Sequence, residues 1–214
     1  KIEYLANIPI AFGQSYNNLG YILGINPEIE GTTSGKTMGL ASYGKMRREW
    51  LPYAREYVLK YRKFPTAKLG GLQTRGLGHR INDVGLRDIP ELKRYLKPRE
   101  YPFEIRGLKD KFKLAFGLIH RDELRLPGPK ERDSQDLAAT VQEAWTVEVM
   151  RLIREHKGEY KNFCVVGGCA LNGTTNYVID KSSLFEATHF IPNPSDCGLA
   201  SGASSRRRDI RRKP

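Results

Sequence analysis

Cysteine is scarce in this 214-residue chain: Cys164, Cys169 and Cys197 are the only three, and no two of them form a Cys-x-x-Cys pair. An odd count at irregular spacing excludes a disulfide framework, and reduced thiols in a cytoplasmic protein are the simpler reading. Histidine is also sparse. His79, His120, His156 and His189 stand more than thirty positions apart, so no two share a helix face and no local two-histidine metal site exists. No apolar run comes near the ~20 residues that cross a bilayer. No basic start leads into an apolar stretch with a small-residue cleavage site, so no signal peptide is visible. The first residue is Lys1 rather than Met, and the expectation is a natural start further upstream.

What the chain has in plenty is positive charge. It carries 36 Lys and Arg against 24 Asp and Glu, a formal net charge of +12. Hydrophobic residues at 39% and charged residues at 28% fit a soluble globular protein on the polar side of average. The surplus is concentrated. Eight basic residues between Lys45 and Lys68 face only Glu49 and Glu56, and six between Arg206 and Lys213 face only Asp209. Such patches attract phosphate through long-range field and counterion release. A solvated face or a frayed end is the commoner origin of a charge run, so nucleic acid is the alternative partner and not the leading one. Tyr53, Tyr57, Tyr61 and Phe64 interleave the first cluster, at a helical spacing that points to core.

The periodicity predicts a short helix ending at Gly24, a Gly/Thr/Ser-rich loop over 30–44 leading into a helical turn at Met38–Ala41, and a helix over 46–63. Residues 64–133 have many Gly and Pro breaks and read as an insertion or lid. The clearest helix runs from about Asp136 to Lys157, with Ala138, Val141, Trp145, Val149 and Leu152 on one face. Asp133 and Ser134 are placed to cap it and Gly158 to end it. Then come a buried apolar strand at Phe163–Val166, a turn at Gly167-Gly168, a helix over Asn172–Asp180, a strand over Ala187–Ile191 and a small-residue helix over Asp196–Ser204. That alternation predicts an α/β layer structure.

Three motifs carry chemistry. Gly31-Thr32-Thr33-Ser34-Gly35-Lys36-Thr37 tempts toward a P-loop, but Glu30 occupies the place of the first glycine and no strand precedes it. Lys36 still offers a mobile point charge to a phosphate. Val165-Val166-Gly167-Gly168-Cys169-Ala170-Leu171-Asn172 ends a strand in two glycines just before a helix. That is where ligands approach the backbone of an open α/β sheet, although an ordinary tight turn reads the same way. No histidine lies near Cys169 to activate it, so a cysteine nucleophile is not expected. In Pro192-Asn193-Pro194-Ser195-Asp196-Cys197-Gly198, Asp196 reads either as an N-cap or as a carboxylate facing a cation.

In this order, Lys36-Thr37-Met38-Gly39-Leu40-Ala41-Ser42-Tyr43-Gly44, Gly167–Asn172 and Pro194–Ala203 resemble the O-carbamoyltransferases of the nodulation-protein-U and cephalosporin/tobramycin type. The resemblance implies an α/β fold: a ribonuclease-H-like lobe of the actin-like, sugar-kinase ATPase superfamily with an irregular helical insertion. It implies a chemistry in which ATP and carbamoyl phosphate give a carbamoyl-adenylate. The carbamoyl group then passes to a hydroxyl of a small acceptor. Gly35, Lys36, Gly39, Gly167, Gly168 and Asn172 would border the nucleotide in one crevice. Asp196 would be a ligand of a divalent metal, iron or another transition metal.

The departures are specific. Ser34 stands where the family usually has an acidic residue, Ala41-Ser42-Tyr43-Gly44 replaces Ala-Pro-Tyr-Gly, and no His-x-x-x-His occurs. The chain therefore reads as the second lobe alone, and the expectation is an inactive isolated piece able to self-associate through its truncated face. The implied organisation is a lobe start with a Gly-Lys loop at 1–44, an insertion at 45–133, a nucleotide-binding core at 134–205 and a basic tail at 206–214.

Overall fold

The computed structural model describes residues 5–6, 12–25, 33–60, 83–98, 122–194 and 198. They form a mixed α/β structure, mostly helical, with two small two-stranded sheets. The chain divides into two compact units, Asn7–Trp145, and Thr146–Pro214 together with Lys1–Ala6. No helix among the described residues is long and apolar enough to cross a membrane.

In the Asn7–Trp145 unit, α1 (Phe12–Ile22) buries Tyr16, Leu19 and Ile22. It ends as glycine placement predicts. Gly24 has φ +71, its N–H donates to the Tyr21 carbonyl at 3.1 Å, and the Ile25 N–H donates to the Gly20 carbonyl at 2.9 Å. This paired bonding satisfies carbonyls that a helix end otherwise leaves bare. A 3-10 turn, Arg48–Trp50, feeds α3 (Leu51–Lys60), after α2 (Ser34–Ala41). Trp50, Ala54, Tyr57 and Val58 are buried, so the helical spacing of the aromatic cluster does mean core; Tyr53 is half-buried. The Tyr57 hydroxyl donates to the Ser15 carbonyl at 2.6 Å and accepts from Asn18 Nδ2 at 3.0 Å, which lets a phenol sit fully inside. Tyr61 and Phe64 lie outside the described residues.

The stretch expected as an irregular insertion supplies core to the same unit. Two 3-10 turns, Leu86–Asp88 and Pro90–Tyr95, bury Leu86, Ile89 and Leu92, and β1 (Leu96–Pro98) pairs antiparallel with β2 (Asp122–Leu124). Asp83 Oδ2 accepts the Leu124 N–H at 2.8 Å.

The long helix α4 spans Arg132–His156, and the division between the units falls within it. Its first half buries Leu137, Ala138, Val141, Ala144 and Trp145. Phe12 and Tyr16 meet the Trp145 ring edge-on at 5.4 and 6.1 Å. The start differs from the expectation of a cap at Asp133 or Ser134. Asp133 lies in the first turn, where its carboxylate accepts from Arg94 and, at 3.1 Å, from the Tyr95 hydroxyl. The Ser134 hydroxyl is buried and has no hydrogen-bond partner among the described residues. Cations from neighbouring segments have recruited the acid that spacing assigns to capping.

In the Thr146–Pro214 unit, the second half of α4 ends near Gly158, whose φ of +50 is the expected glycine stop. β3 (Asn162–Val165) pairs in parallel with β4 (Ala187–Phe190), and α5 (Gly173–Lys181) connects them. The strand–turn–helix–strand reading holds. The expected burial of the first strand does not: β3 alternates exposed and half-buried positions, and Val166 is 64% exposed. Among the described residues β3 pairs with β4 alone.

Candidate functional site

The first candidate stretch is α2. Its Gly-Lys pair is helical, which corrects the expectation of a loop up to Met38: Gly35 and Lys36 sit in the first turn of Ser34–Ala41. The reason is α1. Gly20 leaves no room for even one added carbon, which would lie 2.1 Å from Thr33 Oγ1. Thr33 is tied down in that gap, its N–H donating to Asn17 Oδ1 at 2.6 Å and its hydroxyl to the Asn17 carbonyl at 2.6 Å. With Thr33 fixed, Thr37 N–H and Oγ1 both bond the Thr33 carbonyl, and the helix starts there. Thr37 and Leu40 face inward. Gly35, Lys36 and Gly39 are exposed, and a carbon added at either glycine would meet nothing within 4 Å. The helix therefore presents bare backbone and one ammonium to solvent.

Beyond α2 the chain is clasped to the start of α4. An added carbon at Gly44 would lie 1.9 Å from the Gln135 carbonyl oxygen, so the strap crosses in direct backbone contact. Asp136 holds it: Oδ1 accepts the Lys45 N–H at 2.8 Å and Oδ2 accepts Arg47 Nε at 2.9 Å. Arg132 joins the same carboxylate at 3.1 Å.

The second candidate stretch is the turn after β3. Gly167 has φ 92 and ψ 170, a conformation essentially reserved for glycine. Its N–H donates to the Pro194 carbonyl at 2.7 Å. The Pro-Asn-Pro loop is thereby held at the glycine turn, and Asp196 follows two residues along the chain. Asp196 itself lies outside the described residues, as does the helix expected over Asp196–Ser204 apart from Gly198. Gly198 is close-packed: an added carbon would stand 2.3 Å from the Asn193 carbonyl oxygen. Both Gly167 and Gly168 are exposed, and a carbon added at either would meet nothing within 4 Å.

Asn172 is buried and starts α5. Its side-chain oxygen accepts the Thr175 N–H at 3.1 Å, a helix cap. The Thr175 and Thr146 hydroxyls bond at 2.8 Å, anchoring α5 to α4. Cys164 and Cys169 are exposed, and among the described residues neither forms a disulfide. Among the described residues no group of three or more His, Cys, Asp and Glu side chains is placed to hold a metal ion.

The structure thus places Gly167, Gly168, Asn172, Pro192–Pro194 and Gly198 within one unit, and Gly35, Lys36 and Gly39 within the other. Three contributors were not legible from spacing. Asn176, whose amide reaches the turn, looks like any exposed helical polar residue. The Pro194 carbonyl leaves no sequence signal. Gly20 is legible only as a glycine inside a helix, which marks a close approach without naming the partner.

No curated protein matches the chain. One family model does, described as carbamoyltransferase N-terminus, and it covers residues 1–205. That match spans both units and both candidate stretches, and on it the chain belongs to the carbamoyltransferase family.

Proposed function

We propose that the chain belongs to the O-carbamoyl-transferring, nodulation-protein-U-like branch of its family and acts, in the cytoplasm, with ATP and carbamoyl phosphate. On this reading water first releases inorganic phosphate from carbamoyl phosphate, and an oxygen of the resulting carbamate bonds to the α-phosphorus of ATP, so that pyrophosphate leaves and a carbamoyl-adenylate is formed. The oxygen of a small hydroxylated acceptor then bonds to the carbamoyl carbon. The bond from that carbon to the adenylate oxygen breaks, AMP leaves with the electron pair, and the hydroxyl proton passes to solvent. The observation that carries the reading is the unobstructed backbone of Gly167-Gly168 at the carboxyl end of a parallel strand, where open α/β sheets receive ligands. β3, glycine turn, α5 and β4 in succession are also what a ribonuclease-H-like lobe needs.

Each residue then has a task. Gly167 and Gly168 let phosphate or ribose approach the main chain, since no β-carbon stands in the way. Asn172 borders the nucleotide side as the cap of α5. Lys36 offers an exposed ammonium as a phosphate contact, flanked by Gly35 and Gly39, where α2 carries no side-chain bulk. Asp196 is the proposed ligand of a transition metal. The described residues do not supply a set to complete such a site, so no chemical step here runs through it.

The test is Gly168→Val. The open surroundings leave the fold intact, so the melting temperature should move little. ATP binding measured by calorimetry should be lost, and, in a protein that carries both lobes and the adenylate-forming domain, so should transfer of labelled carbamoyl from carbamoyl phosphate to a polyol panel. Undiminished ATP binding by the variant would remove the glycine turn from the nucleotide site.

A further inference from the structure

Asn176 stands outside all three motifs, yet it is the side chain that grips the glycine turn. The turn Gly168–Leu171 is exposed except at Ala170, which is 5% exposed, so packing alone holds little of it. Hydrogen bonds do the rest. The Gly167 N–H reaches Pro194, the Ala170 N–H returns to the Gly167 carbonyl at 3.0 Å, and Asn176 Nδ2 donates to the Ala170 carbonyl at 2.7 Å. A carbonyl only accepts, so the amide must present its NH2 end. Fixing the Ala170 carbonyl fixes the peptide plane that it shares with Leu171.

Asn176 is itself well held. Its backbone N–H donates to the Asn172 carbonyl at 3.0 Å, and the neighbouring Thr175 is bonded to Thr146 of α4. The path from the body of the unit to the turn is therefore α4, Thr146, Thr175, Asn176, Ala170.

We infer that Asn176 is the positioning residue of this turn, setting through the Ala170 carbonyl the backbone course that the proposed nucleotide site requires. The inference rests on the carbamoyl-transfer reading for its functional half only. Asn176→Asp keeps the shape and removes the donor, while Thr175→Val cuts the α4 anchor and leaves the donor. In the full chain, hydrogen-exchange mass spectrometry should show Gly168–Leu171 amides exchanging about tenfold faster in Asn176→Asp, the factor for one lost hydrogen bond. Exchange along Thr175–Lys181 should stay unchanged. Thr175→Val should lower the melting temperature without that selective loss. ATP, used as the probe, should bind about tenfold more weakly to Asn176→Asp. Should that variant not fold, Asn176→Ala answers the same question.

Unchanged exchange at the turn, or the same exchange pattern in Thr175→Val, would overturn the inference. ATP failing to bind even the unaltered chain would strike the functional reading instead, and the exchange data would still decide the role of Asn176.

Discussion

Gly167 and Gly168 are adjacent, equally exposed and equally free of steric neighbours, yet a methyl group should have different effects at the two positions. Gly167 has φ 92, so Gly167→Ala forces a side chain into a conformation that costs about 1–3 kcal/mol. Gly168 carries no such strain, and Gly168→Ala should stay within about 0.5 kcal/mol of the parent in urea unfolding. Equal losses at both sites would show that no left-handed backbone at Gly167 distinguishes the two glycines. Tyr16 makes a second residue-scale prediction. Burial pushes its phenol above the ordinary value near 10, and its hydroxyl donates to Gln142. A folded-state value raised above the unfolded one gives stability that is complete below about pH 10 and is lost as pH climbs beyond it. Above about pH 10, the denaturation midpoint of the parent should therefore fall more steeply with pH than that of Tyr16→Phe, and below it the two slopes should agree. At this scale the sequence was most readable where glycine acts alone. Gly24 and Gly158 end helices where their positions indicate, because a positive φ is a property of the residue itself. The role of Asp133 is not legible locally because its partners Arg47, Arg94 and Tyr95 come from segments 38 or more positions away.

Among elements, α4 was the most legible, because many buried positions repeat at helical spacing and no local rule competes with them. α2 was less so. Eight residues of which four are glycine, serine or alanine carry a weak pattern, and the helix begins at Thr33 because Gly20 and Asn17 hold it there. β1 and β2 were not legible at all: three residues each, joined across a long stretch of sequence, give no period to read. The strap from α2 to α4 invites a test at this scale. Asp136→Ala deprives the Lys45 N–H and the Arg47 side chain of their shared acceptor and should cost about 2 kcal/mol. Gly44→Ala, which drives a carbon against the Gln135 carbonyl, should cost about 1–3 kcal/mol or more. Thermal melts of the two variants and of the pair would show less than additive loss, since both release the same strap.

Over the whole molecule, the formal charge of +12 is the dominant long-range property. Removing residues 206–214 lowers it by five. If the basic tail acts only through that field, heparin retention should fall for the shortened chain, while ATP binding stays as it was. A shortened chain that lost ATP instead would assign the tail to the nucleotide site. The α/β character was legible in the alternation of helical and strand patterns, and the family in three motifs that occur in a fixed order. Asp196 falls outside the described residues, so of the candidate residues it is the one placed by motif alone.

The bond between the Gly167 N–H and the Pro194 carbonyl has an evolutionary corollary. Two stretches 27 positions apart share one contact, and Gly198 backs it by pressing on Asn193. Drift at either end must be matched at the other. In a set of relatives, residues 167–168 and 192–198 should change together or not at all, and chimaeras exchanging one stretch without its mate should fare worse than those exchanging both.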